Sequence, residues 1–179
     1  MQTPENGARV AQRLEYGGGS PTMTGKTIDD IAVGDSAEMS CTASADLVAA
    51  FVTLSGDRNP IHRDAAFAAS TPFGEPIAPG MLTAALIAAV IGSELPGPGC
   101  VYLSQSLKFL RPVRLGDTIT ARVEVVETVR DRNRVRLRTE CINATGEVVL
   151  VGEAWVMPAP TARARSGDGE AAMPLARAA

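Results

Sequence analysis

The sequence predicts an α+β fold in which one antiparallel sheet wraps a single buried helix. The run from Gly80 or Met81 to about Glu94 is apolar nearly all round, the pattern of a helix buried on every side. After Cys100 the period changes: Ile119, Ala121, Val123 and Val125 alternate with Thr120, Arg122 and Glu124, as a half-buried strand requires. A wholly apolar helix followed by such strands is packed most simply by curving the sheet around it.

The elements follow in order. Asp35 to Thr42 is a short strand candidate. Ser44 or Asp46 can cap a helix over Ala45–Leu54, where Leu47, Ala50, Phe51 and Leu54 recur at helical spacing. Ser55-Gly56-Asp57 stops it, and Asn59-Pro60 continues the turn. Asp64 sits where an N-cap belongs for a short helix over Ala65–Ala69. The chain is irregular through Thr71–Pro76, the apolar helix follows, and Gly97-Pro98-Gly99 closes it. Strands are expected at Val101–Leu110, around Ile119–Val125, across Val135, Leu137 and Thr139, and at Val148–Val156, with hairpin turns at Asp131–Asn133 and Asn143–Gly146. Asn143-Ala144-Thr145 matches a glycosylation acceptor but reads as turn chemistry here. Residues 1–25, polar and glycine-rich, are expected to be a flexible leader. The Pro- and Ala-biased residues 158–179 are expected to be a flexible tail, leaving one domain over 26–157.

Composition narrows the chemistry. The 179 residues carry one histidine, three cysteines and a net charge of −3. That is the length of one ordinary domain, and the mild acidity argues against a nucleic-acid binder, which shows a clustered basic excess. Cys41, Cys100 and Cys141 lie far apart with no CxxC pair, so no metal site is expected, and their odd number fits a reducing cytoplasm. The N-terminus shows no secretory pattern, and the longest apolar run is shorter than the ~20 residues a membrane span needs. Any imidazole chemistry in one chain passes through His62.

The densest cluster of polar and turn residues is Ser55-Gly56-Asp57-Arg58-Asn59-Pro60-Ile61-His62-Arg63-Asp64. An acid and an imidazole five residues apart, on a loop held by Gly and Pro, can address one shared water. Helix capping by the aspartates and a carbonyl partner for the histidine explain the same residues without catalysis. Gly80 opens the apolar helix, where unpaired N–H groups and the positive dipole end can polarise a carbonyl oxygen. A plain Pro-Gly helix entry is the alternative. Lys108, Arg111 and Arg114 can meet the phosphates of a nucleotide-like carrier, or simply line a solvated strand edge. The helix alanines Ala84, Ala85, Ala88 and Ala89 leave room for an acyl chain or for close packing.

Phe51–His62 (FVTLSGDRNPIH) with Pro76–Met81 (PIAPGM), Val101–Phe109, Arg111-Pro112-Val113 and Gly116-Asp117 closely resembles the MaoC-like, (R)-specific enoyl-CoA hydratases. The resemblance covers roughly residues 26–157, and its Asp-x-Asn-Pro-x-His motif is specific. It implies the hot-dog fold, a curved antiparallel sheet around a long helix. It also implies reversible hydration of trans-2-enoyl-CoA to (R)-3-hydroxyacyl-CoA, with Asp57 and His62 catalytic. Gly80 N–H would bind the thioester oxygen, an interaction commonly worth ~3 kcal/mol, beside Asn59 and Ser55 as substrate-binding residues. Lys108, Arg111 and Arg114 become candidate contacts for CoA phosphates. The substrate would be an acyl-CoA or acyl carrier protein thioester, with no cofactor beyond the coenzyme A it carries. The partner would be a second copy of the chain, in a dimer or higher oligomer. Two departures are visible: Pro79 stands where relatives hold histidine, and Ala88 where some hold a small hydroxyl. A hot-dog thioesterase is disfavoured because Met81 to Ser93 contains no acid, and a non-catalytic acyl-CoA binding subunit because the Asp57 and His62 pair is intact.

Overall fold

The computed structural model describes residues 24–161. The elements are β1 (Ser36–Thr42), α1 (Ala45–Ser55), a 3₁₀ turn at Pro60–His62, α2 (Ala65–Ala69), α3 (Gly80–Ser93), β2 (Val101–Phe109), β3 (Thr118–Val129), β4 (Arg134–Asn143) and β5 (Val148–Met157). The strands form one antiparallel sheet in the order β1-β3-β4-β5-β2. This is the hot-dog architecture, with α3 packed on β1, β3 and β4.

The alternation read from the sequence sets the faces. Ala121, Val123 and Val125 on β3 pair with Cys141, Thr139 and Leu137 on β4, and all six are buried. The intervening Arg122, Glu124 and Arg138 stand on the other face, where Arg138 pairs with Glu124, and Arg136 with Glu127 and Glu153. Exposed pairs of this kind add little, roughly 0–1 kcal/mol each. The inner face supplies the larger contribution: burying Leu82, Ile87, Val90 and Ile91 of α3 is worth roughly 1.5–3 kcal/mol per side chain. Cys141 adds a contact, its thiol donating to the Thr83 carbonyl at 3.5 Å, and burial pushes that thiol up to about 12.

One expectation needs correction. The helix predicted to be buried on every side is buried on one side only: Met81, Ala85, Ala88 and Gly92 are exposed. Their spacing of four, three and four residues puts them on one stripe. The sheet covers the opposite side of α3, and an apolar pattern in sequence does not say how much of its surface a single chain can cover.

Turns form as their residues require. Ser44 caps α1, its hydroxyl accepting from Leu47 N, and Asp64 caps α2 through Phe67 N. The Asn143 side chain accepts from the N–H groups of Thr145 and Glu147, so its turn chemistry is as expected. Apart from residues 24–25 and 158–161, the expected leader and tail lie outside the described residues. Gly25 N–H donates to the Pro98 carbonyl, and Ala159 is buried and bridges Thr27.

Gly152 on β5 is the position where the sheet tolerates no side chain. A Cβ there would lie 2.0 Å from the Ser106 carbonyl oxygen and 3.0 Å from Gln105 Nε2. Gly152→Ala is therefore expected to destabilise the protein by about 1–3 kcal/mol, read as a lower thermal midpoint. An unchanged midpoint would contradict this packing.

Candidate active site

The Asp57–His62 loop is built by local backbone chemistry. α1 ends because Gly56 takes a left-handed conformation, φ 73°, while its N–H returns to the Val52 carbonyl. That turn delivers Asp57, whose own N–H donates to Ser55 Oγ at 3.3 Å. Asp57 Oδ1 then accepts from Asn59 N at 3.0 Å, which leaves Oδ2 facing His62. Asn59 caps the 3₁₀ turn through Ile61 N, and Pro60 starts it without an N–H to satisfy. His62 closes the turn and is 8% exposed.

The histidine is fixed at both nitrogens. Nδ1 lies 2.7 Å from the Ile77 carbonyl oxygen, and Nε2 lies 3.4 Å from Asp57 Oδ2. A carbonyl only accepts, so Nδ1 must carry a hydrogen and donate. In the neutral ring Nε2 is then a lone pair. It faces a carboxylate, which also only accepts when ionised. Two acceptors this close are satisfied by a proton held between them or by a water that donates one O–H to each.

Ile77 lies three residues before Gly80, so the same segment serves both parts of the site. Gly80 is the first residue of α3, with Pro79 at the cap. Its N–H has no acceptor among the described residues. Phe109 lies over it: a Cβ on Gly80 would fall 2.9 Å from the ring, so a larger residue here would have to push the Phe109 side chain aside. Gly80 and Phe109 line a largely apolar cavity of about 490 Å³, together with Phe73, Ile77, Ala78 and Val113. That volume suits a small ligand. The Asp57–His62 pair is not part of its wall but is attached to it through the Ile77 carbonyl.

A family model for the MaoC like domain matches residues 30–147. The chain belongs to the MaoC-like family. A 3-hydroxybutyryl-CoA dehydratase of Methylorubrum extorquens is 49% identical over 128 residues, covering 72% of this chain and 81% of the relative. An (R)-specific enoyl-CoA hydratase of Rhodospirillum rubrum is 48% identical, covering 72% and 89%. Among solved structures, an unliganded R-hydratase from Pseudomonas aeruginosa aligns with a TM-score of 0.72 at 45% identity, covering 76% of this chain and 88% of the other.

Within this MaoC-like domain the predicted site residues separate into groups. Asp57 and His62 are in contact, and Gly80 is joined to them by the Ile77 segment. Ser55 and Asn59 are bonded to the loop backbone, so their visible task is to hold Asp57 and His62 in place. The three cations do not form one patch: Arg111 pairs with Glu147 at 3.5 Å and Arg114 pairs with Glu75. Lys108 has no ion-pair partner among the described residues. Ile77, Phe73 and Phe109 join the site without being among the residues the sequence singles out for it. A backbone carbonyl carries no residue signal, so nothing in the sequence marks Ile77. Phe109 is an aromatic residue at a strand end, a weak cue.

A single histidine makes the tautomer directly measurable. In the untagged protein, long-range ¹⁵N–¹H spectra are expected to show a hydrogen on His62 Nδ1. A ring protonated at Nε2 alone would contradict the Ile77 hydrogen bond.

Proposed function

We infer that the chain is an (R)-specific enoyl-CoA hydratase, adding water reversibly across the 2,3 double bond of trans-2-enoyl thioesters. The observation that carries this is a carboxylate oxygen of Asp57 and the Nε2 of His62 3.4 Å apart, joined through one backbone segment to a free helix N-terminal N–H. The similarity to relatives named as enoyl-CoA hydratase and 3-hydroxybutyryl-CoA dehydratase supports the same reading.

The chemistry runs from these groups. Gly80 N–H takes the thioester carbonyl oxygen, where negative charge develops as C3 is attacked. The Asp57–His62 pair holds the water, receives one of its protons as the oxygen bonds to C3, and returns one proton to C2. Both groups end in the state in which they began, so the reaction needs no cofactor besides the coenzyme A of the substrate. The apolar cavity excludes bulk water from the enolate and gives the thioester arm a surface to lie on. Lys108, the one of the three cations without an ion-pair partner among the described residues, is the proposed contact for CoA phosphates, while Arg111 and Arg114 are engaged by Glu147 and Glu75. Acyl carrier protein thioesters present the same reacting atoms. Pro79 does not remove the oxygen donor, because that donor is the next residue's N–H.

The proposal includes a second copy of the chain as partner. β2 is an edge strand whose outer side has no partner strand among the described residues, and Val101, Tyr102, Leu103 and Phe109 on it are exposed. The apolar stripe on α3 is also uncovered. Edges of this kind are normally paired or blunted. No helix among the described residues is long and apolar enough to cross a membrane. A reducing, cytoplasmic location is part of the proposal, supported by three unpaired thiols.

With crotonyl-CoA, the enoyl absorbance is expected to decay without release of free thiol. Thiol release without enoyl loss would establish a thioesterase instead, and no change at all a binding subunit. Asp57→Asn and His62→Gln should each lower kcat by about 10²–10⁴-fold while the thermal midpoint holds. Near-normal rates in both would overturn the site. Light scattering is expected to give twice the chain mass or a higher multiple, and a monomer at micromolar concentration would contradict the pairing.

A further inference from the structure

The segment from Phe73 to Pro79 carries the Ile77 carbonyl that holds His62 and the cap of the helix that begins at Gly80. Its other side is fastened by Arg114. One guanidinium nitrogen, Nη1, donates to the Phe73 carbonyl at 3.4 Å and pairs with the Glu75 carboxylate. The backbone of Arg114 forms an antiparallel bridge with Ile77, and its N–H is itself held by Asp117 Oδ2 at 2.8 Å. Next to it, Ala78 N–H donates to the Val113 carbonyl at 2.8 Å. Arg114 therefore meets the segment at Phe73, Glu75 and Ile77, and joins two walls of the cavity, Phe73–Ala78 and Leu110–Val113. A guanidinium suits this because its forked donors can serve more than one acceptor at fixed angles.

We propose that Arg114 is a positioning residue for the Asp57–His62 pair, acting by holding the Phe73–Ile77 segment so that the Ile77 carbonyl stays on His62 Nδ1. If that carbonyl withdraws, the hydrogen on Nδ1 loses its acceptor. The remaining acceptor beside the ring is the Asp57 carboxylate at Nε2, which favours the tautomer protonated there. Nε2 then donates to Asp57 and no longer accepts from water. The consequence falls on the site more than on the fold, since the Arg114 and Glu75 side chains are 45% and 55% exposed and such pairs contribute little to global stability. The kinetic form of this proposal rests on the hydratase reading, but the state of the imidazole does not.

The test uses untagged full-length protein carrying Arg114→Gln or Glu75→Gln, with Arg138→Gln as a control that removes an outer-face ion pair. Imidazole ¹⁵N spectra are recorded, and kcat and KM are measured with crotonyl-CoA and with crotonyl-pantetheine, which lacks the nucleotide phosphates. Arg114→Gln is expected to move the His62 signals toward the Nε2-protonated form and to lower kcat about tenfold with both substrates, at nearly constant KM. Glu75→Gln should move both readouts in the same direction by less, and Arg138→Gln should move neither. A higher KM for crotonyl-CoA alone, with His62 unchanged, would make Arg114 a phosphate contact and overturn the proposal. So would equal shifts in the Arg138→Gln control, or unchanged His62 spectra in the Arg114 variant. Should Arg114→Gln fail to fold, unchanged spectra in Glu75→Gln would be decisive against it. Loss of the hydratase reading would show separately, as a wild type that leaves crotonyl-CoA intact.

Discussion

The hydrogen bond from His62 Nδ1 to the Ile77 carbonyl, 2.7 Å long, is the contact on which the rest of the site depends. It ties the loop that follows α1 to the segment that leads into α3, two stretches fifteen residues apart in the chain. It also settles the imidazole: with Nδ1 donating, Nε2 is left to face Asp57. Without it, Asp57 and His62 would be an ordinary exposed acid beside a histidine free to choose its tautomer. With it, the Asp57 carboxylate and His62 Nε2 face one another at 3.4 Å, in a place where a shared proton or a doubly donating water satisfies both.

The fold supplies this contact by giving each loop a rigid edge. α1 stops at Gly56 because a left-handed residue is needed there, and the turn that follows is held by Ser55, Asp57 and Asn59 bonding to backbone N–H groups. On the other side, α3 is anchored to the sheet by Leu82, Ile87, Val90 and Ile91, so its first N–H is presented from a fixed element. The segment between the two is the softer part. It is secured by Ile77 N–H on the Ile61 carbonyl, Ala78 N–H on the Val113 carbonyl, and the Arg114 side chain. The geometry of the candidate site thus rests on a few contacts outside the hydrophobic core, and these can change without unfolding the domain.

Much of this was legible in the sequence, for physical reasons that differ by element. Period-two alternation in β3 and β4 follows from a sheet with one buried face, and it gave the strands and their orientation. Capping at Ser44 and Asp64 follows from the need of helix N–H groups for acceptors. Asp57 and His62 stood out because an acid and the only imidazole share a loop stiffened by proline. What was not legible is what backbone atoms and distant residues do. Ile77 acts through its carbonyl, which every residue has. Arg114 and Glu75 are 39 residues apart and meet only because the loop between β2 and β3 bridges the segment before α3. Lys108, Arg111 and Arg114 read as one cluster, yet the latter two are paired with carboxylates from different loops. The exposure of the α3 stripe has no sequence signal, because apolar residues look alike whether the sheet or a second surface covers them.

The central claim is that this pair and the Gly80 N–H direct water to C3 and a proton to C2 of an enoyl thioester. Crotonyl-CoA incubated with the protein in D₂O, followed by chiral separation and NMR of the product, tests it most directly. The predicted product is (R)-3-hydroxybutyryl-CoA with one deuterium at C2, placed with a single stereochemistry. An (S) or racemic alcohol, or free crotonate with released coenzyme A, would contradict the account.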